Sequence, residues 1–167
     1  MILAIDIHYK DAYAKNVGVL FDWQDQVPQR TIINQRTEVA EYVPGEFYKR
    51  ELPCILDVMA EVNVNELDAI IVDGHVYIDN DYHHGLGGYL YEALGQKTPI
   101  IGVAKRAFHK NEKTNIPVLR GESENPLYVS AIGMEVGIAA KQIKNMQGAF
   151  RIPTILQLLD TETKRDI

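Results

Sequence analysis

LDAIIVDG, residues 67 to 74, is a continuously apolar run closed by Asp73-Gly74. A strand buried on both faces reads this way, and such strands belong to parallel sheets whose carboxyl ends carry function. Two more acids stand in apolar settings: Asp6 in ILAIDIHY (residues 2 to 9) and Glu51 in YVPGEFYKRELP (residues 42 to 53). Placing charge beside buried strands is costly unless it is compensated, so three such placements point to convergence on something positive, with a divalent metal the obvious candidate. Singly, each acid has a plainer account: Asp6 as a turn cap, Glu51 as a first-turn acid favoured by the helix dipole, Asp73 as a turn former at a strand end.

On the amino-terminal side of this run, residues 2–9, 17–23 and 31–39 predict three strands in an antiparallel meander. A helix follows from Pro53, with Ile55, Val58, Met59 and Val62 spaced along one face. Beyond the run, a helix is expected over Leu86 to Leu94, buried strands over residues 99–104 (PIIGVA) and 126–133 (PLYVSAIG), and a long helix from near Met134. Val136, Ala139, Ala140, Ile143 and Met146 share a face of that helix, and Gly148 is placed to end it. With a final short helix, the order βββαβαβα predicts an α/β fold in one domain over residues 1–167, a mixed sheet of five to six strands flanked by helices. That is the topology of ribonuclease H-like nucleases, whose acids lie on the first strand, first helix and fourth strand, the three places held by Asp6, Glu51 and Asp73.

The chain has 167 residues, 46% of them apolar, and a formal net charge of -6, which argues against holding nucleic acid through bulk positive charge. A local basic stretch runs from Lys105 to Arg120, with Arg106, Lys110 and Lys113 between them against only Glu112. The single Cys54 excludes an internal disulfide and fits a reducing compartment. The opening lacks the pattern of a signal peptide and no apolar run reaches the length of a membrane span, so a cytoplasmic protein without membrane contact, and a monomer, are expected.

The blocks AIDIHY, YVPGEFYKRELP, IIVDGH, PIIGVAK, NPLYVSAIGM and GAFRIP occur in order along nearly the whole chain, and in them it resembles the endonuclease V family. The resemblance implies a ribonuclease H-like fold and magnesium-dependent hydrolysis, with manganese a possible substitute, of the second phosphodiester on the 3' side of inosine or deoxyinosine. It implies metal binding by Asp6, Glu51 and Asp73, and a place near the reacting phosphate for Lys105 of GVAK, with Arg106 beside it on the nucleic acid. It implies that Tyr42, Val43, Pro44 and Gly45 form a loop that wedges into the strand beside the damaged base, and that Gly74 lets backbone approach a flipped purine.

Departures from the family pattern accompany the match. The last long helix opens with Gly133-Met134 where the family has Gly-His, Ala139 stands where another polar residue is usual, and Val76 replaces the second glycine of Asp-Gly-x-Gly. Glu135 adjoins Met134 but is expected to face solvent as a first-turn acid. His83 and His84, in the segment that replaces an arginine-containing turn, are expected to be exposed loop residues, and His8 and His75 to be satisfied polar residues. An endonuclease of the endonuclease V type is therefore expected, with two alternatives: a catalytically impaired nucleic-acid-binding module of the same fold, or a related metal nuclease acting on another nucleic-acid structure. DNA and RNA are not distinguished by the sequence.

Overall fold

The computed structural model describes residues 1–44, 46 and 48–166. Strands β1 (Ile2–Tyr9), β2 (Ala14–Phe21) and β3 (Arg30–Arg36) form the expected antiparallel meander. After α1 (Tyr48–Met59), strand β4 (Ala69–Asp73) enters parallel to β1, and after α2 (Leu86–Ala93), strand β5 (Ile100–Ala104) enters parallel to β4. Strands β6 (Ile116–Val118) and β7 (Leu127–Ile132) close the sheet antiparallel, giving the order β3-β2-β1-β4-β5-β7-β6. Helices α3 (Val136–Asn145) and α4 (Thr154–Lys164) follow.

The sheet has seven strands where five to six were expected. The additional one, β6, is three residues long and carries Pro117, which cannot donate to a ladder and is accommodated at the sheet's outer edge. Helix α1 begins five residues before Pro53, because its first turn is polar and lies outside the apolar spacing; Glu51 falls in that turn. The last helix is the other correction: α4 runs 11 residues, one more than α3.

Side chains alternate along each strand and so fill two apolar layers. Ile2 and Ala4 of β1, Ala69 and Ile71 of β4, and Ile101 and Val103 of β5 pack with Ala139, Ile143, Ile155 and Leu159 beneath α3 and α4. Leu3 and Ile5, Ile70 and Val72, and Ile100 pack with Ile55, Val58, Leu86 and Leu90 beneath α1 and α2. Fully burying each large aliphatic side chain stabilises by roughly 1.5–3 kcal/mol, so the two layers supply the main driving force for this fold.

Polar side chains pin α4 at both ends. Lys15, 1% exposed on β2, donates from Nζ to the carbonyls of Glu162 at 2.6 Å and Arg165 at 2.8 Å, where the helix dipole favours a cation. Arg120, 5% exposed, donates to the carbonyls of Lys144, Met146, Gly148, Phe150 and Arg151, and so clamps the turn between α3 and α4. Arg120 therefore leaves the basic surface stretch in which its sequence neighbours place it. Among the described residues no helix is long and apolar enough to cross a membrane.

Candidate active site

Alternation carries the chain's acids to one place. Asp6 follows Ala4 on β1, Asp73 follows Ile71 on β4, and Lys105 follows Val103 just past β5, all on the face covered by α3 and α4. The register sets Ile5 beside Val72 and Asp73 beside Val103, so these three groups lie next to one another at the carboxyl ends of the three parallel strands. The apolar layer ends there, and Asp6, Asp73 and Lys105 line a cleft together with Asp160 of α4. Glu51 comes from α1 on the opposite face and lies close enough to Asp73 and Asp6 for both to act on its carboxyl.

The electrostatics are those of crowded negative charge. Burial, then Asp73, lifts the Asp6 carboxyl to about 7, with Asp160 adding and Lys105 opposing; the Ile7 amide, donating to Asp6 Oδ1 at 3.0 Å, partly offsets this. Burial, then Asp73 and Asp6, lifts Glu51 to about 8. Burial raises the Asp73 carboxyl even though one side of the residue is open to solvent, with Lys105 pulling it down and Asp160 pushing it up. The cleft thus holds more negative charge than its one lysine can balance.

Asp160 is the residue that sequence reasoning missed. Its Oδ1 lies 3.9 Å from Lys105 Nζ and its Oδ2 lies 3.0 Å from Lys164 Nζ. The available signal was local: Ile155 and Leu159 repeat at helical spacing and are buried, which sets Asp160 at the margin of a sheet-facing stripe. Glu135 is exposed at the amino end of α3 and lies away from the cleft, as expected. Met134 packs against the apolar layer and does not line the cleft. Ala139 and Val76 are fully buried, Val76 against Gly87.

Among the described residues, the remaining expected site residues are not part of the cleft lining. Tyr42 is 62% exposed and Val43 and Pro44 are also exposed, in the segment leading to α1; Gly45 lies outside the described residues. Tyr42 borders a hollow of about 330 Å³ shared with Tyr9, Lys10, Tyr13 and Arg50, and the Arg50 guanidinium lies 3.7 Å over the Tyr9 ring. Gly74 has φ +144°, which side-chain-bearing residues rarely adopt, and a Cβ there would meet open space. At Gly102 a Cβ would lie 2.5 Å from the Gly74 carbonyl oxygen, so glycine on β5 is what lets this turn settle onto the sheet. Arg106 is exposed, and its carbonyl accepts from His75 Nε2 at 3.2 Å.

The histidines of the 79–84 loop differ from one another. His84 is half-buried between the rings of Tyr77 and Tyr89, against the expectation of full exposure, because Gly88 leaves room for its ring. His83 is exposed and pairs with Asp79 at 2.6 Å. Among the described residues Asp79, Asp81 and His83 are the one trio of candidate ligand atoms within 4.8 Å of one another; the cleft acids are spaced more widely. Asp79 already accepts from the Asp81 and His83 amides and pairs with the His83 ring, so the trio is accounted for as a turn.

Known proteins share this fold. The Endonuclease V family model matches residues 1–160. Endonuclease V of Pyrococcus abyssi is 31% identical over 163 residues, covering 95% of this chain and 71% of that protein. In fold, the chain is similar to Ciona intestinalis Endonuclease V solved with a 24mer DNA containing an inosine followed by a ribo-adenosine, at TM-score 0.79 and 16% identity over 98% of this chain and 83% of that one. Bacillus subtilis Endonuclease V gives a TM-score of 0.75 and 20% identity over 97% and 77% of the two chains. The seven-stranded mixed sheet is thus ribonuclease H-like, and the chain belongs to the Endonuclease V family.

Proposed function

We propose that the protein is a metal-dependent endonuclease that hydrolyses a phosphodiester on the 3' side of inosine or deoxyinosine in single-stranded RNA or DNA. One observation carries this: Asp6, Asp73 and Asp160 share a cleft with Lys105, and Glu51 lies close to Asp73 and Asp6, in a chain of this family. The Ciona relative crystallised on inosine-containing DNA supports the choice of substrate.

The donor set is all carboxylate oxygen, free of sulfur and imidazole, and two of its members are pushed up to about 7 and about 8 by burial and mutual repulsion. Such a set fits magnesium or manganese better than zinc. Asp6, Glu51 and Asp73, with Asp160, would hold the ion, which supplies an activated water nucleophile and charge stabilisation at the phosphorus. Lys105 binds the scissile phosphate and neutralises the charge that develops on it. Its position is fixed from behind, since Arg151 donates to the Lys105 carbonyl at 2.5 Å and to that of Pro126 at 2.8 Å. Tyr42 stacks where the extruded base has left its neighbours, and the uncrowded Gly74 turn lets backbone amides read the hypoxanthine carbonyl.

The test is nicking of end-labelled single-stranded DNA and RNA carrying one inosine, with magnesium or manganese and with Asp73→Ala as control. Cleavage one nucleotide beyond the inosine, lost in the variant, is the expected result. A folded protein that binds these strands without cutting them would instead be the impaired binding module that Met134 suggests. Cutting confined to branched or mismatched substrates would point to a different nucleic-acid target.

A further inference from the structure

The cleft continues sideways into a second hollow of about 460 Å³, which shares Asp73 and Lys105 with it and is otherwise lined by Gly74, His75, Ala104, Arg106, Ala107 and Phe108. Phe108 is 46% exposed, an apolar ring in a loop where the flanking residues 105–110 are all exposed. The His75 ring supports it from the side of the protein, with ring centroids 6.2 Å apart, and is itself held by the Arg106 carbonyl. Arg106, Lys110 and Lys113 project from the same loop and make no ion pair among the described residues. In a chain of net charge -6, a loop that carries an exposed ring and four exposed cations, Lys105, Arg106, Lys110 and Lys113, against the one acid Glu112 is a local exception.

The loop is also preformed. Asn111, 1% exposed at its centre, donates to the Tyr77 carbonyl at 2.8 Å, its own carbonyl accepts from Thr114 Oγ1 at 2.8 Å, and the Lys113 amide donates to Asn80 Oδ1 at 2.9 Å. A loop held in place by its own hydrogen bonds loses less freedom when a ligand settles on it.

We propose that the 105–113 loop is a single-strand platform: a base flanking the cut stacks on Phe108, while Arg106, Lys110 and Lys113 hold the phosphates that follow. Stacking on an aromatic ring beside a cationic track is how sequence-tolerant single-strand sites are built. This rests on the nuclease reading and extends it, since it assigns a strand path on the side of the acids away from Tyr42.

The test measures binding of a labelled inosine-containing single strand in EDTA, so that cutting does not intervene, across a series of salt concentrations. Phe108→Ala is expected to weaken binding about 5- to 150-fold. Lys110→Gln with Lys113→Gln is expected to make the log-log salt slope shallower by about 1.4, at about 0.7 for each phosphate of a single strand that a lysine no longer neutralises. Phe108→Trp gives a direct reading, because a stacked base quenches the new indole, with wild type, which has only Trp23, as background. Wild-type binding with no quenching in Phe108→Trp, and unchanged affinity and slope in the other variants, would overturn the platform and leave the nuclease standing. Equal displacement of the strand by polyglutamate would overturn it in favour of an acidic protein partner. Failure of the wild type to bind any single strand would overturn the platform and the nuclease reading together.

Discussion

Replacing Asp6 with asparagine removes a group the cleft needs and is nevertheless expected to stabilise the metal-free protein. The Asp6 carboxyl is raised from 3.8 to about 7 by burial first and by Asp73 second. An acid with a raised folded pKa gives up its proton in the unfolded chain first. Unfolding is therefore favoured progressively as pH rises from the ordinary carboxylate range through about 7. At pH 8 the ionised Asp6 costs the folded state about 4 kcal/mol, taking about 1.36 kcal/mol for each pKa unit. Asparagine avoids that cost but weakens the bond from the Ile7 amide, so the net gain at pH 8 is about 2–4 kcal/mol, or roughly 5–15 °C in Tm for a chain of this size. At pH 4 the gain vanishes, because Asp6 is then protonated in the folded protein.

The assay is urea unfolding in EDTA at pH 4, 6 and 8 for wild type and Asp6→Asn, repeated with magnesium. Wild-type stability should fall across that range in EDTA, and magnesium should restore it at pH 8 by binding the folded state alone, with a smaller gain for the variant. Destabilisation by Asp6→Asn at pH 8, or a gain of equal size at pH 4 and pH 8, would refute the placement of Asp6 among repelling carboxylates.

Other consequences can be measured separately. Cleavage and manganese affinity should rise together with pH through about 7 and about 8, as Asp6 and Glu51 ionise; a flat profile from pH 6 to 9 counts against both as ligands. Glu51→Ala and Asp73→Ala should each lower the cleavage rate by at least about 100-fold with little change in strand affinity in EDTA, since the group removed is one that acts on the transition state. Arg120→Met should cost about 3 kcal/mol or more in urea unfolding, because the carbonyls it satisfies between Lys144 and Arg151 lose a charged donor; a drop under about 1 kcal/mol would show that the clamp is incidental.

What the sequence disclosed and what it hid follow from the range of the forces involved. The buried strands announce themselves through continuous apolar runs, and the face on which Asp6 and Asp73 lie follows from a period of two. Strand β6 did not, since three residues with Pro117 carry no period, and its place is set by pairing with β7 and by burial of Val118 in the layer beneath α3. Arg120 reads as one more surface cation in a basic stretch, and its burial is decided by carbonyls 24 to 31 residues further along the chain. Lys15, inside a strand, is legible only once the carboxyl end of α4 is known to lie over β2. Asp160 was hidden for the same reason: the spacing of Ile155 and Leu159 sets it at the margin of an apolar stripe, but what that stripe covers is settled only once α4 is docked.

That hidden acid bears on the departure at Met134. Under the proposed nuclease reading, a cleft without the family's imidazole gathers its charge by other means: a fourth carboxylate, Asp160, lies with Asp6 and Asp73 beside Lys105, whose backbone carbonyl Arg151 holds. Met134 packs, partly buried, against the apolar layer, where a histidine would exchange apolar contact for a polar ring. Met134→His should therefore lower stability by roughly 1–2 kcal/mol and raise cleavage by less than about twofold, whereas Asp160→Asn should reduce cleavage by about 100-fold or more with Tm nearly unchanged. The two variants measured side by side decide the matter. A large gain from Met134→His with little effect from Asp160→Asn would mean that the cleft still lacks its imidazole and that Asp160 serves only to pair with Lys105 and Lys164.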